Sequence, residues 1–250
     1  MMCGNAVILK PASLTAGSAI ALTEIISNQD IPNGLFNLVL GSGSDIGNKI
    51  ATHPDIAAIT FTGSVEIGKK LYHDSSPTLK KMQMEMGSKN PLVVMDDADL
   101  QTAITCAANG AFGGTGQKCT ASSRLIVHEN IYKEFVEGLI ENIKNLKVGH
   151  ALDEGTQMGP ASNHNQYESN LNYVEIGKGE AKLAFGGNPM NMRTPGYYME
   201  PTLFVDGDNK SRINQEEMFG PIACVIPTKN LEDALEIAND TEFGLSSGII

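Results

Sequence analysis

The chain lacks several things that would fix its class at once. It has four cysteines, Cys3, Cys106, Cys119 and Cys224, and none stands in a Cys-x-x-Cys pair or a close Cys/His cluster. Neither a zinc site nor a redox dithiol is written into it, and no metal is expected. Positive charge is scarce: 18 Lys and Arg against 29 Asp and Glu leave a net charge of −11. Such a surface is a poor match for nucleic acid or an anionic membrane, so neither is expected as a partner. No apolar run reaches membrane-spanning length, and no signal peptide is visible at the start. There is no internal repeat, no low-complexity tract and no cluster of arginines. We expect a reducing, cytoplasmic compartment.

What is present is globular. With 250 residues, 41% hydrophobic and 19% charged, the chain can bury a sizeable core in one or two domains. Its first third alternates short strands with helices. Ala6 to Leu9 reads as a strand. Thr15 to Ser27 reads as a helix, with Leu14, Ile20, Leu22, Ile25 and Ile26 on or near one side. Phe36 to Leu40 is a second strand, then a glycine loop, Gly41 to Gly47, opens a helix ending near His53-Pro54. Ile56 to Thr62 is a third strand, and Gly63-Ser64 opens a helix to Tyr72. This repetition predicts an α/β fold, a parallel sheet with helices on both faces. Such sheets bind nucleotides at the carboxyl ends of their strands.

From Glu85 a second domain is expected. Pro91 to Met95, Ser123 to His128, Ala181 to Phe185 and Ile222 to Ile226 read as strands, and Gly196 to Val205 as extended. Leu100 to Phe112, Ala161 to Ile176 and Leu231 to Asn239 read as helices. Ile131, Phe135, Leu139, Ile143 and Leu146 make one apolar stripe, which is core. Asp96-Asp97-Ala98-Asp99 reads as a solvated start to a helix.

Two stretches carry candidate chemistry. Cys119 lies in Gly116-Gln117-Lys118-Cys119-Thr120-Ala121-Ser122, after Gly113-Gly114-Thr115. Glycines let backbone approach a ligand closely, and a cysteine on such a loop can meet a substrate. It can equally be a small buried hydrophobe. Glu85 ends an apolar run, in Met84-Glu85-Met86-Gly87-Ser88-Lys89-Asn90-Pro91. A carboxylate there suits general-base work, or is an ordinary strand-end glutamate facing water.

Together these stretches resemble the aldehyde dehydrogenase superfamily, which pairs a glutamate in an E-[LM]-G-G-K-x-P string with a cysteine in G-Q-x-C. Val7-Ile8-Leu9-Lys10-Pro11-Ala12, Phe61-Thr62-Gly63-Ser64-Val65-Glu66-Ile67-Gly68 and Glu216-Glu217-Met218-Phe219-Gly220-Pro221 extend the resemblance along the chain. Within the family, dehydrogenases of 2-oxoglutarate semialdehyde and succinate semialdehyde look most similar. Ser88 departs from the pattern, standing where the family usually has a second glycine.

The resemblance implies two Rossmann-like domains, with residues 1–84 the second half of the NAD(P)-binding domain and 85–250 the catalytic domain. It implies Cys119 as nucleophile and Glu85 as the base for deacylation. Lys10 would contact the adenosine ribose, and Ser13 would bear on the choice between NAD and NADP. Gly43, Gly47, Gly63, Ser64, Ile67 and Gly68 would lie about the cofactor. Met86 and Gly87 would line the nicotinamide, and Glu217 and Phe219 would hold its ribose. The substrate would be a small aldehyde. Family members run to about twice this length, so the chain is expected to be a central fragment, incomplete at both ends and inactive alone. The complete form would be a homodimer or homotetramer. Two other readings stay open: a non-catalytic member of the fold, and a cysteine hydrolase or acyl transferase. The latter needs a histidine beside Cys119; His53, His73, His128, His150 and His164 are all expected on the surface.

Overall fold

A computed structural model describes residues 1–250. The chain divides into two compact units, Met1–Met86 and Gly87–Ile250. Both are built from strands and helices in alternation. No helix is long and apolar enough to cross a membrane.

The first unit holds two small parallel ladders. Strand β1 (Val7–Leu9) pairs with β2 (Phe36–Leu38), and β3 (Ala58–Thr62) pairs with β4 (Lys81–Glu85). Helix α1 (Ala16–Ser27) joins the first pair; α2 (Asn48–Thr52) precedes the second and α3 (Val65–Ser75) joins its strands. The strand ending at Glu85 is more than an apolar run: it registers Glu85 opposite Thr62. The expected apolar side of α1 is not buried. Only Ala19 is, while Leu14, Ile20, Leu22 and Ile25 stay exposed. A ladder of two three-residue strands offers too little surface to cover a three-turn helix.

The second unit is one six-stranded sheet, ordered β10-β5-β6-β9-β8-β7. Its strands are β5 (Asn90–Val94), β6 (Ser122–His128), β7 (Lys182–Phe185), β8 (Thr202–Val205), β9 (Ile222–Thr228) and β10 (Gly248–Ile249). All pairs are parallel except β7 with β8, so the expected parallel sheet carries one antiparallel edge.

Period-two alternation sends successive side chains to opposite faces, and both faces here are apolar. Leu92, Val94, Leu125, Val127, Ala223 and Val225 meet α4 (Leu100–Phe112) and α5 (Tyr132–Lys144) through Phe112, Phe135, Leu139 and Ile143. On the other face Phe204, Ile222 and Cys224 meet Val174 of α6 (His164–Glu180) and Ile213 of α7 (Arg212–Gln215). Val93 and Ile126 meet Ala234 of α8 (Leu231–Asn239) there. This two-sided burial explains the near-continuous apolar runs in these strands. Asp99 caps α4, its carboxylate accepting from the Thr102 N–H at 2.8 Å.

Candidate active site

In the first unit the candidate residues gather where strands end. Lys10 follows the carboxyl end of β1, and the Gly41–Gly47 loop follows that of its neighbour β2. The Lys10 ammonium donates to the Pro11 carbonyl at 2.7 Å, and Ser13 is exposed at the start of a short 3-10 turn. Gly43 and Gly47 bound a single wide turn, opened by Ser42, whose hydroxyl accepts from the Asp45 N–H at 3.1 Å.

The β3–β4 pair does the same. The Gly63 N–H donates to the Glu85 carbonyl at 3.0 Å, which sets Gly63 and Ser64 beside Glu85 at one carboxyl edge. Ser64 caps α3, its hydroxyl accepting from the Ile67 N–H at 3.4 Å. Glu66 in the first turn complements the helix dipole. Gly63 is tight against Phe61: an added Cβ would lie 2.5 Å from the ring. Gly68 is buried, and a Cβ there would lie 2.4 Å from the Met86 sulfur. So Gly68 and Met86 pack on each other, while the Ile67 side chain stays exposed.

In the second unit the candidates gather at the opposite kind of edge. Cys119 precedes β6, Gly87 precedes β5, and Glu217 and Phe219 precede β9; all three strands are parallel. Thr115 and Gly116 both have positive φ, 63° and 64°, which turns the chain sharply between α4 and Cys119. Gly116 has a second requirement: a Cβ would lie 2.1 Å from the Gly220 carbonyl oxygen. That contact brings the Cys119 loop against the Glu217–Gly220 segment. Gln117 holds the loop from the other side, accepting from the Ser162 N–H at 2.8 Å.

Cys119 itself is half-buried. Its carbonyl accepts from the Ser88 hydroxyl and from the Asn90 amide, the latter at 2.8 Å. Its own N–H donates to nothing in the chain. Of the two adjacent carboxylates that follow α7, Glu216 is taken up by structure: Arg212 grips it at 2.8 and 3.0 Å and the Tyr173 hydroxyl donates to it at 2.9 Å. The Arg212 hydrogen bond holds the Glu216 carboxyl below its usual range. Glu217 is left to accept from the Ser88 N–H at 3.0 Å. It lies so close to Gly87 that a Cβ there would be 2.1 Å from its carboxylate. Phe219, at φ 50°, is exposed.

Behind this edge lie two buried cations that no motif announced. Arg124 donates to the carbonyls of Lys89, Ile237 and Ala238 and to the Asn209 side chain at 2.8–3.0 Å. Burial lowers its pKa to about 10. The Lys89 ammonium is buried with no hydrogen-bond partner, and burial lowers its pKa to about 7. Asn90 was missed too. The available signal was a run of polar residues, Ser88-Lys89-Asn90, set directly against the apolar strand that follows.

The histidines are elsewhere. His128 is buried, contrary to expectation, because it ends β6 and its Nδ1 accepts from the Asn130 N–H at 3.2 Å. It sits at the far end of β6 from Cys119, about 20 Å away at the usual strand rise. His164 is exposed beside Glu168 and Tyr197. No histidine hydrogen-bonds Cys119.

A sequence model of the aldehyde dehydrogenase family matches residues 1–250. The chain belongs to that family. It is 42% identical over its whole length to an alpha-ketoglutaric semialdehyde dehydrogenase of Bacillus subtilis, covering 52% of that protein. It is 38% identical, again over its whole length, to a 2,5-dioxopentanoate dehydrogenase of Saccharolobus solfataricus, covering 52% of it. Betaine aldehyde dehydrogenase from Staphylococcus aureus, crystallised with NAD+, superposes with a TM-score of 0.95 at 32% identity, over 98% of this chain and 49% of that one. HpcC from Thermus thermophilus superposes with a TM-score of 0.95 at 40% identity, over 99% of this chain and 49% of that one. The chain spans about half the length of the curated relatives it matches.

Proposed function

We propose that this chain carries the catalytic cysteine and part of the cofactor site of an NAD(P)-dependent aldehyde dehydrogenase for a short semialdehyde. The observation that carries the reading is Cys119 itself: half-buried, on a sharply turned loop, its carbonyl tied down and its N–H unpaired. Residues 1–84 serve cofactor binding and 85–250 serve the chemistry.

The Cys119 thiolate adds to the aldehyde carbon, giving a thiohemiacetal. The Cys119 N–H donates to the oxygen that becomes negative. A nicotinamide cofactor, when bound, supplies the hydride acceptor. The thioester then left on Cys119 is hydrolysed by a water from which Glu85 takes the proton.

The residues fit a dinucleotide. The Ser64-capped start of α3 presents N–H groups to a phosphate. The loops after β1 and β2 place Lys10, Ser13, Gly43 and Gly47 at one edge. Gly87 leaves room for the Glu217 carboxylate, which with Phe219 alongside holds a ribose. Ile67 flanks that surface of α3, while Gly68 and Met86 back it. Ser13 places no carboxylate near Lys10, so a 2′-phosphate meets no repulsion and NADP is accepted as well as NAD. A kcat/KM at least tenfold better with NAD counts against this.

The substrate class follows the names of the relatives. The carboxylate of a semialdehyde has no arginine here to meet it: Arg124 is buried, Arg193 pairs with Asp153, and Arg212 with Glu216. Its partner is sought outside this span. Four free cysteines fit a cytoplasmic protein, and the homo-oligomer rests on the family alone. The 250-residue span is expected not to turn over by itself.

The test uses a chain of the relatives' full length that carries this span. Cys119→Ala should abolish the burst of NAD(P)H. Glu85→Gln should keep the burst and slow the steady rate by about 10²–10⁴-fold. A burst surviving in Cys119→Ala sinks the reading.

A further inference from the structure

The Cys119 carbonyl is held by two side chains that lie before and within β5. Ser88 and Asn90 are both buried, 6% and 3% exposed. The Ser88 hydroxyl donates to the Cys119 carbonyl. The Asn90 amide nitrogen reaches the Cys119 carbonyl at 2.8 Å, the Ala121 carbonyl at 2.9 Å and the Ser88 hydroxyl oxygen at 2.8 Å. The Asn90 carbonyl oxygen accepts from the Ser246 N–H at 3.0 Å, and the Ser88 N–H donates to Glu217 at 3.0 Å. One short polar cluster therefore ties together the cysteine loop, the segment carrying Glu217 and the segment entering β10.

We infer that Ser88 is a positioning residue: its hydroxyl, with Asn90, clamps the Cys119 carbonyl and so limits where the thiol points. This rests on Cys119 as the nucleophile. Two donors on one carbonyl fix the Cys119–Thr120 peptide plane. A peptide held at its carbonyl keeps its cysteine Cα in place, so the thiol samples fewer directions. A loop with only the Asn90 donor pivots about it. The same serine links this plane to Glu217 through its N–H, so a shift at Glu217 reaches Cys119 through one residue.

The test is alkylation of the 250-residue chain with limiting iodoacetamide, followed by peptide mapping. The exposed Cys106 serves as the reference, and the fully buried Cys224 reports general loosening. Ser88→Ala is expected to raise the Cys119-to-Cys106 labelling ratio by about two- to tenfold, the weight of one hydrogen bond, with Cys224 still protected. Ser88→Thr, which keeps the hydroxyl, is expected to return the ratio towards the parent value, and failure to do so counts against the hydroxyl. An unchanged ratio in Ser88→Ala overturns the proposal. So does parallel labelling of Cys224, which assigns the effect to loosening of the whole sheet. Failure of the nucleophile reading shows separately, as an NAD(P)H burst in Cys119→Ala, and does not alter the labelling ratio.

Discussion

Lys89 has its ammonium where water cannot reach and no acceptor meets it. Burial moves its pKa from 10.5 down to about 7, and the nearby Arg124 charge pushes the same way. Between those two values the unfolded chain binds a proton that the folded chain does not. Stability therefore rises with pH across that window and is lowest below about pH 7. Lys89→Met removes the linkage. Urea unfolding should show the variant more stable than the parent at pH 6, by up to about 5 kcal/mol, with the gap narrowing as pH climbs towards 10.5. A gap independent of pH contradicts the buried-amine account. Neither Lys89 nor Asn90 was legible as a structural centre, because what surrounds them lies far along the chain: Lys89 is beside Arg124 and Cys224, and Asn90 meets residues 29 and 31 positions on, and Ser246. Local pattern carries no trace of contacts at that separation. Arg124 was hidden for the same reason, a cation inside an apolar strand whose acceptors come from α8.

At the scale of elements, α4 and α8 were legible because each combines an apolar face of helical period with turn residues at its ends, and the strands beside them because they are short, near-continuous apolar runs. Loop character around Cys119 was legible from its glycines. That Glu85 could end a strand was legible too, but not where that strand begins, since Lys81-Met82-Gln83-Met84 has no β-branched residue to mark it. The α1 stripe misled in the other direction: its apolar residues spread around the helix, and only Ala19 is covered. The tightest requirement beside Cys119 is the turn at Gly116, where positive φ and the Gly220 carbonyl both exclude a side chain. Gly116→Ala should lower unfolding stability by at least about 1–3 kcal/mol from backbone strain. It should also raise Cys119 alkylation as the loop lifts off the Glu217–Gly220 segment. Stability within a few tenths of the parent contradicts the packing described for that turn.

At the scale of the molecule, the two units use opposite strand ends. Glu85, Ser64, Lys10 and the Gly41–Gly47 loop stand at carboxyl edges; Cys119, Gly87 and Glu217 stand at amino edges. The carboxyl-edge rule for nucleotide sites anticipates the first set and not the second, because the second depends on which loops enter neighbouring strands. The sheet order β10-β5-β6-β9, which sequence alone does not supply, is what makes those entering loops neighbours. The central claim is that Cys119 becomes acylated and Glu85 releases the acid. The most direct measurement is acid quench of a Glu85→Gln full-length form, turning over a short semialdehyde with NADP, followed by intact mass and peptide mapping. The account predicts an acyl group accumulating on the peptide that holds Cys119, and none on those holding Cys3, Cys106 or Cys224. An acyl group on another residue, or turnover with no covalent adduct and no slowing, contradicts it.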